Sequence, residues 1–419
     1  MNKLPSQNNT IFAITLITSL FFLWGFALNL NPILIPHLKK ACQLSDLQSA
    51  FIDSASYIAY FLLAIPAGRF MNRFGYKGGI ILGLLLFAFG AFLFYPAAST
   101  RSYVFFLGAL FIIASGLAFL ETAANPYITV LGDPATGTQR LNFAQSFNGL
   151  AAFIAPLIGG RFILSGKTLT SQEEAAMSAT QLDQYLKHEA SSVQIPFIII
   201  GLVVLMVVIF LWRTPLPEIK EDDSLEVEGS ILKEKNLMLG VLAQFFYVGA
   251  QVCISSFFIR FSQRVNGIGE ISAAYYLSGA LLGFMVGRFA GTFFMRFISP
   301  PRLLALYSII VMLLLIVSIT TTGMLAIYSL IAVEFFLSIM FPTIFALSVR
   351  GLGSKTKEGS SLVIMAIVGG AVFPVIMGRV SDASNIQIAY SVPAVCFFMI
   401  LYFAVKNMNV VNVKLTAAH

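Results

Sequence analysis

The chain has 419 residues, of which 58% are hydrophobic and 11% are charged, and its mean hydropathy is +0.86. Soluble domains carry about 25% charged residues, so this composition excludes a soluble protein and indicates one that crosses a membrane many times. The net charge of +7 does not indicate nucleic-acid binding, because Lys and Arg lie at the ends of apolar runs rather than in one patch. Cys42, Cys253 and Cys396 are scattered and predict neither a disulfide framework nor a metal site.

Twelve apolar runs follow one another along the chain, and each has about the 20 residues that a helix needs to span a bilayer. They fall near residues 10–36, 47–70, 78–98, 103–131, 141–164, 192–213, 237–260, 271–295, 302–322, 325–349, 361–378 and 387–405. The sequence therefore predicts an all-α membrane protein with twelve transmembrane helices, numbered here as spans 1 to 12.

The loops between the spans predict orientation and domain boundaries. Lys and Arg are more frequent in the two tails and in the loops on the same side, so we expect both termini to be cytoplasmic. Residues 214–236 are charged and contain two prolines, and we expect a cytoplasmic linker there. The linker divides an N-terminal six-helix bundle, residues 1–213, from a C-terminal six-helix bundle, residues 237–419.

A short Gly-Arg motif recurs at the ends of spans 2, 5, 8 and 11. Its copies are Gly68-Arg69-Phe70, Gly160-Arg161-Phe162, Gly287-Arg288-Phe289 and Gly378-Arg379-Val380. The third copy follows the first by 219 residues (287 − 68), and the fourth follows the second by 218 (378 − 160). The two halves are therefore expected to repeat in parallel, with inverted three-helix repeats inside each half, as in transporters.

Spans 4 and 5 carry the polar side chains around which the rest of the prediction is built. Glu121 lies inside an apolar run, where an ionisable group costs roughly 2.5–3.5 kcal/mol on insertion scales, so it indicates function. Asn125 follows one helical turn later on the same face. Span 5 opens with Asn142, Gln145 and Asn148. This pattern predicts a polar cavity, with a carboxyl that exchanges a proton and amides that hydrogen-bond sugar hydroxyls.

Three other spans carry candidate polar residues. Span 1 has Asn29 and Asn31 before Pro32; span 2 has Asp53, Tyr57 and Tyr60 on one face; span 7 has Gln244, Tyr247 and Gln251 on one stripe. We interpret Asp53 as a candidate proton-coupling residue, for which a solvated helix cap is the alternative. We interpret the asparagines as candidate substrate contacts, for which a proline kink near a membrane face is the alternative. The span 7 stripe is also a candidate substrate contact, for which hydrogen bonding between helices is the alternative.

Two further residues have less specific interpretations. Glu334 in span 10 is a second deep carboxyl, for which pairing with a cation or a position near the outer interface is expected rather than a functional role. Arg288 is expected to be a boundary arginine like Arg69, so that no fixed cation faces the amides, and this favours a neutral polyol as substrate. No nucleophile–base pair, phosphate-binding loop or metal-ligand cluster appears in the sequence, so neither an enzyme nor a cofactor or metal site is predicted.

Several segments resemble a known family. Residues 68–79, GRFMNRFGYKGG, resemble the loop signature of the major facilitator superfamily, with Asn72 where an aspartate is usual. More specific are FFLWGFALNLNPILIPHL (21–38), LETAANPYITVLG (120–132), RLNFAQSFN (140–148), LAQFFYVGAQ (242–251) and FPTIFALSVRGLGSKTKEGSS (341–361), which resemble the fucose–proton symporter family. The resemblance runs through all twelve spans.

The resemblance implies a major facilitator fold in a bacterial inner membrane and import of a neutral monosaccharide, L-fucose or a related hexose, with a proton. It implies that Glu121 couples protons and contacts sugar, and that Gln145 and Asn148 bind sugar. A second coupling aspartate of the family is replaced here by Pro32, so Asp53 is a candidate to compensate. A sodium-coupled transporter for glucose, galactose or an amino sugar remains an alternative, as do a non-transporting sugar sensor and a passive facilitator. The predicted partners are the sugar, H⁺ or Na⁺ and the lipid bilayer, and the predicted state is a monomer.

Overall fold

The structure is a computed structural model that describes residues 7–44, 46–163, 176–217 and 230–416. The described residues form helices and the turns between them, with no strand among them. An all-helical chain is what the apolar runs require, because a helix satisfies its own backbone hydrogen bonds without water.

The first six spans occupy the following helices. Span 1 is Gln7–Leu28, continued by Asn31–Ala41; spans 2 and 3 form Asp46–Thr100; span 4 is Tyr103–Val130; span 5 is Gly137–Ile163; and span 6 is Gln194–Arg213. A separate polar helix, Ala179–Ser191, precedes span 6. The helix Asn31–Ala41 carries the chain beyond the apolar run that ends at residue 36.

The last six spans follow in the same order. They are Lys235–Asn266, Glu270–Phe294, Pro300–Thr320, Met324–Leu337 with Met340–Ser348, Thr356–Met365 with Gly369–Ala383, and Ser391–Thr416, the last preceded by the short helix Ile386–Ala389. Nine described segments are long and apolar enough to cross a membrane, and one of them, Ala55–Thr100, contains two spans. Spans 1 and 5 complete the set, so the predicted twelve-helix fold is confirmed.

Gly75 separates spans 2 and 3 within one nearly continuous helical segment. Its φ of 72° and ψ of 176° interrupt the helix and divide it into residues 46–74 and 76–100. An added Cβ would meet nothing within 4 Å, so the backbone conformation rather than crowding requires glycine here. The sequence predicted a longer connection between the two runs, whereas one residue makes the turn.

Span 10 is broken near its middle, which the sequence did not predict. Met324–Leu337 ends and Met340–Ser348 begins two residues later, although the apolar run continues unbroken from 325 to 349. Span 11 is likewise divided, by a single turn of tighter helix at residues 366–368. At the interruption in span 10, Ser338 and Ile339 keep right-handed helical dihedrals, so it is a local distortion of the hydrogen-bond pattern rather than a stretch of non-helical backbone.

The chain forms two compact units. The smaller unit contains residues 23–123 and 151–217, and the larger unit contains residues 1–22, 124–150 and 218–419. Spans 4 and 5 each contribute to both units. Residues 218–229 of the predicted linker lie outside the described residues, and the division into bundles 1–213 and 237–419 stays a prediction.

Candidate functional site

Glu121 is a buried carboxyl in the smaller unit. Its exposed fraction is 6%, and the hydroxyl of Tyr60 in span 2 donates a hydrogen bond of 2.6 Å to its Oε1 atom. This separation is typical of a hydroxyl that donates to a carboxylate, and such charge-assisted bonds are about twice as strong as neutral ones. The carboxyl therefore faces protein rather than lipid, and one described hydroxyl stabilises its charged form.

Tyr60 is a residue that the sequence reasoning noticed but did not assign. It shares a helix face with Asp53 and Tyr57, and it is 3% exposed. The sequence signal that could have selected Tyr60 is its spacing from an acidic residue in the same span. The side chain of Asp53 lies outside the part of the chain that the structure describes, so its predicted coupling role stays a prediction.

Two of the predicted amides meet in the larger unit. The Gln145 Nε2 atom donates to the Asn125 Oδ1 atom at 3.2 Å, and the exposed fractions are 4% and 0%. Within the described residues, the Asn125 Nδ2 atom has no hydrogen-bond partner. A buried N–H without a partner costs about 1–3 kcal/mol, so this amide is a candidate donor to a ligand or a water.

Arg288 contradicts its prediction. It is 7% exposed, and its Nη1 atom donates to the Gln145 Oε1 atom at 3.1 Å and also to the Gln145 backbone carbonyl. Gly149 makes room for it, because a Cβ at that position would lie 3.0 Å from the Arg288 Cδ atom. Arg69 and Arg379 in the related motif copies are exposed.

The boundary interpretation of Arg288 is therefore wrong, and so is the expectation that no fixed cation faces the amides. The physical reason is that span 8 turns this copy of the motif toward span 5 of the same unit rather than toward solvent. Because the guanidinium donates to Gln145, it fixes the orientation of that amide.

Asn142 and Asn148 have different surroundings. Asn142 is 1% exposed and donates through Nδ2 to the Thr138 carbonyl at 2.9 Å and to the Thr343 hydroxyl at 3.2 Å. Its Oδ1 atom has no partner among the described residues. Asn148 is partly buried. Asn142 thus links spans 5 and 10 within the larger unit, whereas the predicted sugar contact of Asn148 stays a prediction.

The span 7 stripe divides into three kinds of residue. Gln244 is fully buried, and neither its Oε1 nor its Nε2 atom has a partner among the described residues. Tyr247 is also fully buried, and its hydroxyl donates to the Leu337 carbonyl at 3.0 Å, at the break in span 10. Gln251 is partly buried. Gln244 has the unsatisfied hydrogen-bonding capacity that a ligand-binding amide requires, whereas the Tyr247 hydroxyl is engaged by the backbone.

Of the candidate asparagines in span 1, the structure describes the side chain of Asn29 alone. Asn29 is partly buried, and its Nδ2 atom donates to the Gly25 carbonyl one turn earlier, at 2.7 Å. The side chains of Asn31 and Pro32 lie outside the described part. In the part of the chain that is described, no group of three or more His, Cys, Asp or Glu residues could hold a metal ion.

The fold and these buried polar groups are those of a membrane transporter, and the sequence comparison agrees. The profile of the Major Facilitator Superfamily matches residues 15–363, which is more than half of the chain. The chain belongs to the Major Facilitator Superfamily.

Two curated relatives match almost the whole chain. The "Glucose/galactose transporter" of Brucella abortus biovar 1 (strain 9-941) is 41% identical over 403 residues, covering 95% of this chain and 94% of its own. The "L-fucose-proton symporter" of Escherichia coli (strain K12) is 42% identical over 405 residues, covering 94% and 92%. The predicted resemblance to the fucose–proton symporter family is confirmed, and these relatives are transporters rather than enzymes, as predicted.

Solved structures agree with the fold. A crystal structure of the transporter FucP in the outward conformation is 42% identical, covers 95% of this chain and 99% of its own, and has a TM-score of 0.89. A structure of the proton:xylose symporter XylE is 14% identical with a TM-score of 0.72 over 95% of this chain and 96% of its own, and it supports the fold alone.

Proposed function

We propose that this chain is a secondary active symporter that imports a neutral monosaccharide together with a proton by alternating access. The observation that carries the proposal is the buried Glu121 carboxyl, which accepts the Tyr60 hydroxyl at 2.6 Å. The names of the relatives, one for L-fucose–proton symport and one for glucose/galactose transport, support a sugar as the substrate class.

The Glu121–Tyr60 pair gives the coupling a physical basis. Burial favours the neutral acid, whereas the hydroxyl donor favours the carboxylate, so we expect a change in the surroundings of this carboxyl during the transport cycle to change its protonation. Moving one proton through about 100 mV supplies about 2.3 kcal/mol. That free energy sustains a sugar gradient of roughly 50-fold, at 1.4 kcal/mol per decade. Asp53 is proposed to share this one proton with Glu121, in place of the family aspartate that Pro32 replaces.

The proposed sugar contacts are mainly amides, because an amide both donates to and accepts from a hydroxyl. Asn125 offers its Nδ2 atom and Gln244 offers both side-chain polar atoms, since these have no partner among the described residues. Gln145 is oriented by Arg288, so its position is fixed before sugar arrives. The other proposed contacts are Asn29, Asn31, Glu121, Asn148, Tyr247 and Gln251.

For the identity of the sugar and of the coupling cation, we propose an order of preference. L-fucose or a related hexose with H⁺ is the first choice. Na⁺-coupled uptake of glucose, galactose or an amino sugar is the second, and the name of a relative at 41% identity supports glucose or galactose within it. The test is uptake of a sugar panel into proteoliposomes, with pH and Na⁺ gradients imposed separately. A proton gradient alone is expected to drive uphill uptake, and dependence on Na⁺ alone selects the second choice.

The same assay separates two other classes. A sugar sensor would bind sugar without accumulating it, and a passive facilitator would equilibrate sugar without using either gradient. Either result would overturn the symport proposal. Asn148→Ala is expected to weaken sugar binding in this assay, with Asn9→Ala as a control at the start of span 1.

We also propose that the protein acts as a monomer in a bacterial inner membrane with both termini in the cytoplasm. The distribution of Lys and Arg along the sequence supports the orientation. Accessibility of tags placed at each terminus, in intact cells and in everted vesicles, tests the orientation. Mass measurement of the purified protein in detergent tests the monomeric state.

A further inference from the structure

Glu334 in span 10 is a second buried carboxyl, and the proposed function does not use it. It is 1% exposed and lies in Met324–Leu337, in the larger unit. The hydroxyl of Ser255 in span 7 donates to its Oε1 atom at 2.7 Å, while the Oε2 atom has no hydrogen-bond partner among the described residues. A buried carboxylate with one donor is poorly compensated, so a proton on Oε2 is the natural way to neutralise it.

The charged and titratable groups on the elements packed near Glu334 do not neutralise it. They include Arg288 in span 8, Tyr307 in span 9, Tyr247, Cys253 and Arg260 in span 7, and Tyr390 before span 12. The Tyr247 and Tyr390 hydroxyls donate to the backbone carbonyls of Leu337 and Ile254, at 3.0 and 3.2 Å. Arg288 donates to Gln145, and no ion pair in the described chain includes Glu334.

The helix that carries Glu334 is distorted close to this residue. The carboxyl lies one helical turn before residues 338–339, where the helical hydrogen-bond pattern is interrupted, and about 15 Å along a span of 25 residues, close to its middle. Ser338 and Ile339 keep right-handed helical dihedrals, and the Ser338 hydroxyl donates to the Phe335 carbonyl at 2.6 Å. The Oε2 atom, which has no partner among the described residues, therefore lies near the middle of the span beside a local distortion of the helix.

Span 7 links this carboxyl to the proposed sugar contacts. Ser255 lies eleven residues after Gln244 and four after Gln251, so all three side chains project from one face of the helix. The hydroxyl that holds Glu334 is therefore the next polar group on the stripe already proposed to contact sugar.

We propose that Glu334 and Ser255 form a second proton-binding site, which takes up and releases one proton in each transport cycle. In the loaded state the proton is on Oε2. On release the O–H bond breaks, the proton passes to water, and the carboxylate keeps the Ser255 donor. The inference rests on the proposed function, because it adds a proton to the same symport cycle.

The test is the number of protons moved per sugar in proteoliposomes, obtained from the membrane potential that just balances a known sugar gradient. The expected value is two for the wild type and one for Glu334→Gln, an uncharged replacement that still accepts from Ser255. At about 100 mV, losing one proton lowers the accumulation ratio roughly 50-fold, or 2.3 kcal/mol. Asp382→Asn, at an exposed carboxyl of span 11, is the matched control and leaves the ratio at two.

An unchanged number of protons per sugar in Glu334→Gln would overturn the inference. It would show that Glu334 is a structural acid that stays neutral throughout the cycle, while the symport proposal itself would stand. Absence of coupled uptake in the wild type would instead overturn the proposed function. If Glu334→Gln does not transport, infrared difference spectra of the wild type provide a second readout. A carboxylic-acid band that sugar binding or alkaline pH converts to carboxylate, and that is weakened in the variant protein, supports the site; its absence overturns it.

Ser255→Ala sharpens the test. It removes the donor that stabilises the carboxylate, so release becomes harder and the pH profile of uptake moves to alkaline pH. Ser262→Ala is the control on the same helix, because the Ser262 hydroxyl is buried and donates to the Phe258 carbonyl instead of a carboxyl. Equal profiles for the two variants would contradict the assignment.

Discussion

The smaller and the larger unit each hold one buried carboxyl that a hydroxyl from another span contacts. In the smaller unit Glu121 accepts from Tyr60 at 2.6 Å, and in the larger unit Glu334 accepts from Ser255 at 2.7 Å. Spans 4 and 10, which carry them, occupy corresponding places in the predicted repeat. The larger unit alone, among the described residues, adds a buried arginine that holds an amide, Arg288. The difference that we draw from the two units is that each proposed proton site is a buried carboxyl with a hydroxyl donor, whereas the fixed cation lies beside a proposed substrate amide.

The largest expected effect comes from removing both carboxyls. In the double variant Glu121→Gln/Glu334→Gln no side chain at either site exchanges a proton, so sugar accumulation is expected to disappear. Exchange of labelled for unlabelled sugar needs no net proton movement and is expected to persist. Both are measured in proteoliposomes under an imposed proton gradient. Uphill uptake in the double variant would show that neither residue couples protons.

Replacing Glu121 alone separates the two sites. Glu121→Gln is expected to lower the accumulation ratio roughly 50-fold at about 100 mV, since one of two moving charges is lost. Asp183→Asn, at a carboxyl outside the spans, serves as the control. Complete loss of uphill uptake in Glu121→Gln, with exchange of labelled sugar intact, would contradict the comparison, because it would show that Glu334 contributes no coupled proton.

The sequence predicted the fold and half of this comparison. Hydropathy was sufficient for twelve spans, and a carboxyl inside an apolar run was sufficient to select Glu121. Glu334 carried the same signal, but the sequence does not show that Ser255 points at it or that span 10 breaks beside it, because both depend on packing. Arg288 was misplaced for the same reason, because the four motif copies look alike in sequence and the orientation of span 8, which buries Arg288, depends on packing.

Tyr60→Phe tests the hydroxyl at the first carboxyl. A hydrogen bond to a charged group contributes about 1.5–3 kcal/mol, so its loss favours the protonated carboxyl. The pH profile of uptake is expected to move to alkaline pH by about one to two units, at 1.36 kcal/mol per unit. Tyr57→Phe, one turn earlier in the same span, provides the control. An unmoved profile in Tyr60→Phe would mean that the hydroxyl does not influence proton release.

Arg288→Lys tests the cation that distinguishes the larger unit. Lysine keeps the charge but loses the rigid fork that holds Gln145, so the sugar site is expected to lose order rather than charge. The KM for sugar is expected to rise about tenfold, equivalent to one hydrogen bond of about 1.4 kcal/mol, while the number of protons per sugar stays unchanged. The exposed Arg379→Lys is the control. A changed proton ratio would place Arg288 in the coupling machinery and remove the distinction between the units.

The smallest effect is expected from replacing a carboxyl of the smaller unit that is exposed, that of Asp183. Asp183, in the polar helix before span 6, pairs with Lys187 and Arg101, each at 2.7 Å. The hydrogen bond from Lys187, together with the charges of Lys187 and Arg101, holds the pKa of this carboxyl below its usual value against a weaker effect of desolvation. The pairing therefore stabilises the fold above pH about 3.9, the usual value, and this stabilisation is lost as pH falls through the lower folded pKa.

Solvent screens an exposed pair, so the melting temperatures of the wild type and Asp183→Asn in detergent are expected to differ slightly at pH 7 and to converge in acid. A difference in melting temperature that grows in acid would contradict the lowered pKa of Asp183. A large difference at pH 7 would mean that solvent exposure does not distinguish the Asp183 carboxyl from the buried carboxyls of Glu121 and Glu334.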